Sequence, residues 1–464
     1  MMLSLREAAQ ALKAKLVASD SQLTFNRVTT DSRDIQAGDL FVALKGERFD
    51  AHNFVAAALD QGAVAALVQE SGDGNRIIVK DTLAALGELA KFWRSQHAHI
   101  PLIGVTGSNG KTSVKEMLAS ICAVAAGGEQ YVHATKGNLN NHIGLPLTVL
   151  GIQAEHRFVI AEMGMNHFGE INYLTHIAQP DVAVVNNAGA AHLEALGSVE
   201  GVAQAKGEIF AGLVANGTAI INADDQFAPL WQQLAAEKQI STFGLHGEVT
   251  ASHIELLATG SQFSLLCPAG EAQVLLSVPG EHNVRNALAA AAAALAAGIS
   301  LAHVQQGLNQ WAGVKGRLQA KTAANGAAIL DDTYNANPDS MKAAIDVLAA
   351  IGATGVPTIL VLGDMGEVGA DAVERHREIG MYAAQSQINH LVAVGTDMQY
   401  AVEAFNALRS GATHCADHAA AIAAVAAVLT PASQVLVKGS RFMRMETVVA
   451  GLENKTEQGA QPCC

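Results

Sequence analysis

The sequence predicts an α/β protein of three domains. The chain has 464 residues, a length that favours about three domains. Half of the residues are hydrophobic and 16% are charged, which is a globular composition with enough apolar surface for several cores. From about residue 99 onward, short apolar runs alternate with helical patterns. Such alternation predicts parallel sheets covered by helices on both faces.

Two changes of pattern divide the chain. The first segment mixes short apolar runs with turns, and in it residues 41–44 are a predicted buried strand and residues 53–59 a predicted helix. The second boundary follows an alanine-rich segment, at the point where Gly313 and Gly316 interrupt the pattern. The predicted domains are residues 1–98, 99–313 and 314–464.

Strands and helices can be placed within the second and third domains. Residues 287–299 and 419–429 are rich in alanine and are predicted to be packed helices, because they are too short and too weakly apolar to span a bilayer. Loops at the carboxyl ends of parallel strands line the ligand crevice of open sheets, so polar residues there are candidate site residues. The predicted strands are residues 102–105, 158–161, 182–185, 219–221, 328–330, 359–362, 391–394 and 435–437.

Charge and cysteine content narrow the class of protein. The 29 basic and 43 acidic residues give a net charge of −14, which disfavours nucleic acid as a partner. Five cysteines without a CxxC pattern favour a reducing cytosol over a disulfide framework or a zinc site. Arg6 and Glu7 interrupt the apolar N-terminus, so it does not resemble a signal peptide. We expect a cytoplasmic monomer without membrane insertion, with Cys463 and Cys464 exposed in a polar tail.

The sharpest local signal is the segment 103–113, which reads IGVTGSNGKTS. A helix is predicted to begin at Lys111, and free N–H groups at a helix N-terminus bind anions. Lys111 would contact the β- and γ-phosphates of a nucleotide and Thr112 would contact Mg²⁺. Val105 stands where the pattern GxxxxGK[ST] requires glycine, so the match is to the shorter TGxNGK[TS]; the alternative is an ordinary turn with a surface lysine. The predicted phosphate-binding residues are Gly107, Ser108, Asn109, Gly110, Lys111, Thr112 and Ser113.

Three further polar residues follow predicted strands or lie on a predicted helix. Glu162 ends a strand near the phosphate loop, where an acid can hold magnesium. His192 follows a loop of small residues, and Lys206 lies on a probable helix. Alone, each has an ordinary interpretation: a solvated acid, a structural histidine, and a surface lysine paired with an acid.

Four residues are candidates for the nucleotide. Asn283 and Asn286 are three residues apart and share a helix face, and their amides suit a purine edge, although Asn283 could instead cap the helix. Arg317 suits phosphate and Asp332 suits ribose hydroxyls, but each could belong to an ordinary ion pair.

Taken together, these motifs resemble the Mur ligases of peptidoglycan synthesis. The N-terminal TDSR at 30–33 and FVALKG at 41–46, with Asp50 and His52, resemble the family's uridine-nucleotide domain. The resemblance spans residues 25–450, and it implies a uridine-nucleotide-binding α/β domain, a central P-loop ATPase domain with a parallel sheet, and a Rossmann-like C-terminal domain. The other shared motifs are TGSNGKT at 106–112, TKGNLNNHIGLP at 135–146 and AEMG at 161–164.

Three C-terminal segments are similar to the branch of the family that adds a dipeptide. The branch that adds the third amino acid carries an Asp-Asn-Pro-Arg signature, and this tetrapeptide does not occur here. The implied substrates are ATP, UDP-N-acetylmuramoyl-tripeptide and D-alanyl-D-alanine; whether the third peptide residue is meso-diaminopimelate or lysine stays open. The three segments are DDTYNANPDSM at 331–341, LGDMGEVG at 362–369 and VKGSRFMRME at 437–446.

The resemblance also implies a role for each candidate. Lys111 would bind the ATP phosphates, and carbamylation would turn Lys206 into an anion. Two Mg²⁺ ions would be held by Thr112, Glu162, His192 and Lys206. The nucleotide would contact Asn283, Asn286, Arg317 and Asp332, and Lys438, Ser440 and Arg441 would approach the γ-phosphate when the C-terminal domain closes. UDP would contact Ser32, Arg33, Asp50 and His52, and the sugar-peptide would contact Asn138 and Asn141.

Two other classes of function stay open from the sequence. A P-loop nucleotide switch or kinase that makes no amide bond would explain Lys111 and Thr112, but it would leave the N-terminal TDSR motif and the third domain without a role. A non-catalytic scaffold beside other cell-wall proteins is a further alternative.

Overall fold

The computed structural model describes residues 2–46, 49–190 and 192–453. It has the predicted α/β class, with one principal sheet in each of three domains. Ala191 of the small-residue loop and the tail cysteines Cys463 and Cys464 lie outside the described residues. In the described part, no helix is both long and apolar enough to cross a membrane.

The N-terminal domain is built on a five-stranded mixed sheet of order β2-β7-β6-β5-β4, in which only β2 is antiparallel to its neighbour. Strands β1 and β3 form a separate pair. The strands are β1 Leu3–Ser4, β2 Lys15–Val17, β3 Thr24–Phe25, β4 Arg27–Thr29, β5 Asp39–Val42, β6 Ala65–Val68 and β7 Arg76–Ile78. The helices are α1 Leu5–Ala11, α2 Val55–Asp60 and α3 Thr82–Gln96.

Two predicted elements in this domain are shifted. The strand expected at residues 41–44 ends earlier, because the Leu44 N–H turns back to the Val42 carbonyl. The helix expected at residues 53–59 begins as a 3₁₀ turn at Ala51–Phe54, since the Asp50 carboxylate accepts the His52 N–H and caps that turn.

The central domain has a six-stranded sheet of order β13-β12-β11-β8-β10-β9, in which every neighbouring pair is parallel. Its strands are β8 Leu102–Thr106, β9 Val132–Ala134, β10 Phe158–Glu162, β11 Val182–Val185, β12 Thr218–Asn222 and β13 Gln239–Phe243. The helices around it are α4 Lys111–Ala126, α5 Gly144–Leu150, α6 Glu170–Ala178, α7 Leu193–Leu196, α8 Val199–Gly207 and α9 Ala228–Leu234.

The four strands predicted in this region are present. The sequence did not predict β9, β13 or the antiparallel sheet that follows them. That sheet consists of β14 Thr250–Leu257, β15 Gly260–Cys267 and β16 Gly270–Leu276. The alanine-rich helix α10 Glu281–Ala296 packs against both sheets, because its small side chains allow close approach on every face. Helix α11 Leu301–Gln310 completes the domain.

The C-terminal domain has a six-stranded sheet of order β17-β18-β22-β19-β20-β21, with only the edge strand β17 antiparallel. The four strands and the second alanine-rich helix predicted here are present. The strands are β17 Gln319–Thr322, β18 Ala328–Asp332, β19 Thr358–Gly363, β20 His390–Val394, β21 Ala412–Cys415 and β22 Gln434–Lys438. The helices are α12 Pro338–Gly352, α13 Ala372–Gln385, α14 Met398–Leu408, α15 His418–Val428 and α16 Glu446–Leu452.

Candidate active site

The phosphate loop occupies the turn between β8 and α4. Gly110 precedes the helix with a φ of 78°, a left-handed conformation that side chains other than glycine rarely adopt. The Asn109 N–H donates to Asn187 Oδ1 at 2.8 Å, and Asn186 Nδ2 donates to the Asn109 carbonyl at 2.9 Å. Asparagines that follow β11 therefore hold the loop in place.

Lys111 folds back over this loop. Its Nζ donates to the Gly107 carbonyl at 2.7 Å and to the Ser108 carbonyl at 3.4 Å. Burial lowers the pKa of Lys111; the nearby Glu162 opposes that shift and Arg317 adds to it. The ammonium group is thus held at the loop, where a bound phosphate would contact it. It is not the surface lysine that the alternative of an ordinary turn predicts.

Glu162 sits at the carboxyl end of β10 and is 3% exposed. Its carboxylate accepts from Thr112 Oγ1 at 3.0 Å and from Asn140 Nδ2 at 2.8 Å. The Glu162 N–H in turn donates to Thr135 Oγ1 at 2.9 Å. The acid is therefore fixed beside the first turn of the phosphate-loop helix, and it is not the solvated strand end of the ordinary interpretation.

Lys206 lies in the last turn of α8 and is 2% exposed. Burial, with a smaller contribution from the charge of Lys111, lowers the pKa of Lys206 well below its ordinary value. Within the described part of the chain, its amine forms no hydrogen bond and no ion pair, whereas the amines of Lys111, Lys115 and Lys238 donate to carbonyl oxygens. The interpretation of Lys206 as a surface lysine paired with an acid is therefore wrong.

His192 has a left-handed backbone, with a φ of 56°. Its Nδ1 lies 2.9 Å from Glu367 Oε2, in a loop of the C-terminal domain. The hydrogen bond from His192 lowers the pKa of Glu367. One ring nitrogen of His192 thus makes a contact between the central and C-terminal domains.

A cavity of about 420 Å³ brings these residues together. Its lining includes Thr112, Glu162, His192 and Lys206. Carboxylate and hydroxyl oxygens are ligands that Mg²⁺ prefers, but the described residues contain no ready-made cluster of three or more His, Cys, Asp or Glu side chains for a metal ion. The donor set fits Mg²⁺ if Lys206 contributes an anion, since this side chain is buried at the wall of the cavity and its amine makes no hydrogen bond within the described residues.

A second cavity, of about 340 Å³, lies on the other side of the loop and is lined by both candidate asparagines. Helix α10 begins at Glu281, so Asn283 does not cap it; its Nδ2 donates to the Pro279 carbonyl at 2.8 Å. Asn286 Oδ1 accepts from Asn186 Nδ2 at 2.9 Å. Asn286 therefore links the alanine-rich helix to the phosphate loop through Asn186, which also donates to the Asn109 carbonyl.

Arg317 and Asp332 enter the same cavity from the third domain but do not pair with each other. Arg317 Nη2 donates to Thr112 Oγ1 at 3.0 Å, and its guanidinium stacks 4.5 Å from the centre of the Tyr334 ring. Arg317 Nε is buried without a hydrogen-bond partner. Asp332 Oδ2 accepts from Lys438 Nζ at 2.6 Å, so the ion pair is formed with Lys438.

Two more contacts join the C-terminal domain to the loop. Asn337, the N-cap of α12, donates from Nδ2 to Asn109 Oδ1 at 2.8 Å. The Ala190 N–H donates to Asp339 Oδ2 at 3.1 Å. The two domains therefore meet directly at the predicted phosphate site.

The residues predicted to bind UDP lie elsewhere. Ser32, Arg33, Asp50 and His52 do not line either of these two cavities. Arg33 pairs with Asp31 at 2.7 Å and is 87% exposed at its side chain. Asp50 Oδ1 lies 2.6 Å from His52 Nδ1.

Asn138 and Asn141 do line the cavity that contains Glu162. Asn141 also has a local role, since its Oδ1 accepts from the Gly144 N–H at 2.9 Å near the start of α5.

Several site residues were not predicted from the sequence. Asn140 belongs to a quoted motif, and Asn186 and Asn187 follow a predicted strand, so their position could have identified them. Tyr334 and Glu367 belong to quoted C-terminal segments, but their contacts are made across a domain boundary and carry no local signal.

Three family models match the chain in sequence order. The "Mur ligase family, catalytic domain" model matches residues 24–94, the "Mur ligase middle domain" model matches 105–294, and the "Mur ligase, glutamate ligase domain" model matches 316–441.

Curated relatives match over the whole length. A UDP-N-acetylmuramoyl-tripeptide–D-alanyl-D-alanine ligase of Haemophilus influenzae is 42% identical over 98% of this chain and 99% of its own. The ligase with the same name from Escherichia coli is 41% identical over 97% of this chain and 98% of its own.

Solved structures share this fold over nearly the whole chain. A crystal structure of MurF from Acinetobacter baumannii superposes with a TM-score of 0.91 at 40% identity, covering 98% of this chain and 99% of that one. A MurF ligase from Thermotoga maritima in complex with ADP superposes with a TM-score of 0.80 at 26% identity, covering 93% and 97% of the two chains.

Proposed function

This chain belongs to the Mur ligase family, and we propose that it is the family's D-alanyl-D-alanine-adding ligase. It is an ATP-dependent enzyme that joins D-alanyl-D-alanine to UDP-N-acetylmuramoyl-tripeptide and so forms the pentapeptide precursor of peptidoglycan. The observation that carries this proposal is the sequence similarity to ligases of that name, which are 42% and 41% identical over 98% and 97% of this chain. The phosphate loop beside a buried acid and a buried lysine supports it from the geometry.

The reaction has to activate a carboxylate before an amine can attack it. The terminal carboxylate of the tripeptide attacks the γ-phosphorus of ATP, which gives an acyl phosphate and ADP. The amine of the dipeptide then attacks the acyl carbon, and phosphate leaves. Two unit charges ~4 Å apart repel by about 1 kcal/mol in water and several times more in a partly dry cleft. Lys111 and Arg317, both at the loop, offset this repulsion.

Thr112, Glu162, His192 and carbamylated Lys206 would hold Mg²⁺, at two sites. Bound Mg²⁺ supplies charge neutralisation for the transferring phosphoryl group. Glu162 would supply a carboxylate beside the Lys206 carbamate, and Thr112 and Asn140 already orient it.

Carbamylation is supported by the environment of Lys206. Burial lowers the pKa of its amine, and a neutral amine can add to CO₂. The new N–C bond forms with loss of one proton, which leaves a carbamate anion. The change replaces a cation that would repel a metal by an anion that attracts one.

The nucleotide extends from the loop into the 340 Å³ cavity. Asn283 and Asn286 bind the adenine, Arg317 binds phosphate and Asp332 binds the ribose. Gly107 to Ser113 enclose the phosphates. The uridine nucleotide contacts Ser32, Arg33, Asp50 and His52 in the N-terminal domain, and its sugar-peptide passes Asn138 and Asn141 on the way to Glu162.

The domain boundaries at residues 98 and 313 separate the uridine-nucleotide domain, the ATP-binding domain and the C-terminal domain. The segment 313–317 is the hinge. Closure of the C-terminal domain brings Lys438, Ser440 and Arg441 toward the γ-phosphate and keeps water from the acyl phosphate. The contact of Asn337 with Asn109 supports closure at this place. The enzyme acts as a cytoplasmic monomer.

The test is phosphate release from ATP with each substrate omitted in turn. Turnover should require both a UDP-tripeptide and D-alanyl-D-alanine, and mass spectrometry should identify the pentapeptide. Phosphate release that is independent of the dipeptide, or transfer of the phosphoryl group to a stable product, would instead identify a nucleotide switch or a kinase. Comparing tripeptides that carry meso-diaminopimelate and lysine shows which third residue is accepted.

A further inference from the structure

Lys115 is a buried ammonium group that the proposed reaction does not use. It lies on α4 and is 1% exposed. Its Nζ donates to the Thr135 carbonyl at 2.8 Å and lies 2.6 Å from Glu116 Oε1. Burial of an ammonium group costs free energy, and an apolar residue of similar size often gives equal or higher stability. Stability alone therefore does not account for a lysine at this position.

Thr135 connects Lys115 to Glu162. It follows β9 and is 2% exposed. Its N–H donates to the Ile160 carbonyl at 3.0 Å, and its Oγ1 accepts from the Glu162 N–H at 2.9 Å. The Thr135 carbonyl is the acceptor of the Lys115 ammonium group. The lysine thus fixes the residue that holds the main chain of the acid.

Helix α4 therefore holds Glu162 at two points. Thr112 Oγ1 donates directly to the Glu162 carboxylate at 3.0 Å, and Thr112 and Lys115 are three residues apart on one face of the helix. Thr112 also lines the cavity of Glu162, so a ligand there can displace the direct contact. Lys115 is absent from the described linings of the two cavities above, so its contact with Thr135 can persist while ligands bind.

We propose that Lys115 is a positioning residue for the ligase reaction, an inference that rests on the proposed function. Through Thr135, the lysine keeps Glu162 at a fixed place relative to the phosphate loop while the loop binds its nucleotide. Loss of the ammonium group should therefore weaken the binding of a divalent ion at Glu162 and lower kcat. It should leave the affinity of the loop for nucleotide phosphates unchanged, because Lys111 has its own contacts with main-chain carbonyls of the loop.

Lys115→Met tests the proposal, with Lys238→Met as the matched control. Methionine keeps most of the apolar stem, and the Glu116 side chain, which is 40% exposed, can be solvated without its partner. Lys238 lies in the same domain, outside the described linings of both cavities, and its Nζ likewise donates to main-chain carbonyls, at 3.0 and 3.3 Å. The two variants therefore remove the same kind of contact at different places.

The readout is the affinity of the enzyme–ADP complex for Mn²⁺, measured by electron paramagnetic resonance, because this ion suits the same oxygen ligands as Mg²⁺. Lys115→Met should bind Mn²⁺ about 10- to 100-fold more weakly than wild type and should lower kcat by a similar factor, with the affinity for metal-free ADP unchanged. Lys238→Met should match wild type in all three measurements. A lower melting temperature of Lys115→Met together with wild-type Mn²⁺ affinity would show that the lysine only stabilises the fold, which overturns the proposal.

Thr135→Val and Thr135→Ser test the next contact of the same connection, and they decide the question if Lys115→Met does not fold. Valine lacks the hydroxyl that accepts from the Glu162 N–H, so it should weaken Mn²⁺ binding as Lys115→Met does, whereas serine should preserve it. The double variant Lys115→Met/Thr135→Val should bind Mn²⁺ no more weakly than the weaker single variant, because both changes act on Glu162 through one connection.

Losses that multiply in the double variant, or wild-type Mn²⁺ affinity in Thr135→Val, overturn the proposal. If the wild type shows no dipeptide-dependent turnover, the proposed function fails instead. The Mn²⁺ comparison does not depend on turnover, so the two failures are distinguishable.

Discussion

Gly110 and Asn286 approach so closely that no side chain fits between them. A Cβ on Gly110 would lie 2.2 Å from Asn286 Oδ1, and 2.5 Å from the Asn186 amide nitrogen that donates to that same oxygen. The phosphate loop is therefore packed against the helix that lines the nucleotide cavity. A substitution at Gly110 should change the affinity for the nucleotide.

We expect Gly110→Ala to weaken ATP binding by about 10- to 100-fold, because the loop or the two asparagines must move. Gly127→Ala is the matched control. It lies at the other end of α4 with a φ of 81°, and a Cβ there meets no atom within 4 Å. That variant should lose only about 1 kcal/mol of stability. Calorimetric titration with a non-hydrolysable ATP analogue measures the difference, and equal affinities for the two variants would show that the close contact is irrelevant to binding.

Lys111→Ala should lower kcat by at least about 100-fold, because the ammonium group that meets the phosphates is lost. The fold should survive, since the variant removes a largely buried charge that makes no ion pair in the described structure. Steady-state phosphate release and thermal melting measure the two effects, with the exposed Lys15→Ala as control. Activity like that of wild type would refute the assignment of the phosphate site.

Lys206→Ala should be inactive and should recover activity when acetate or formate is added. The added acid can occupy the space of the carbamate and restore an anion beside Glu162 and Thr112. Lys206→Glu should retain more activity than the alanine variant for the same reason. If no carboxylic acid restores turnover and ¹³C-labelled bicarbonate gives no carbamate signal on the wild-type protein, the carbamate proposal fails.

The sequence predicted what depends on local pattern. The strand before the phosphate loop and the helix that begins at Lys111 follow from apolar runs and glycine placement over a few residues. The sheet β14–β16 was missed because its three consecutive antiparallel strands do not alternate with helices, and the strand predictions rested on that alternation. Glu367 could not have been predicted, since its contact with His192 spans 175 positions and two domains.

Stability should depend on the pH through His133. Burial is the main cause that lowers the pKa of its imidazole to about 4, and its Nε2 lies 2.7 Å from the Thr148 carbonyl. The unfolded chain, with a histidine pKa of about 6.5, binds more protons than the folded chain between these values. The contribution of His133 to the free energy of unfolding is therefore fully present above about pH 6.5. It is lost as the pH falls toward 4, which lowers the free energy of unfolding by about 3 kcal/mol.

Urea unfolding of wild type and His133→Gln across this range measures that dependence. Glutamine can still donate to the Thr148 carbonyl but does not titrate, so the variant should show a shallower loss of stability toward acid pH. His303→Gln, at an exposed position, should keep the slope of wild type. Equal slopes for wild type and His133→Gln would assign the acid sensitivity to other groups.

The most direct test of the central claim, activation of a carboxylate at the phosphate loop, is an oxygen-transfer measurement. UDP-tripeptide labelled with ¹⁸O in its terminal carboxylate is turned over with ATP and D-alanyl-D-alanine, and the released phosphate is analysed by mass spectrometry. The acyl phosphate route predicts one ¹⁸O atom in each phosphate derived from a fully labelled carboxylate. Phosphate that carries no ¹⁸O while pentapeptide accumulates would contradict it.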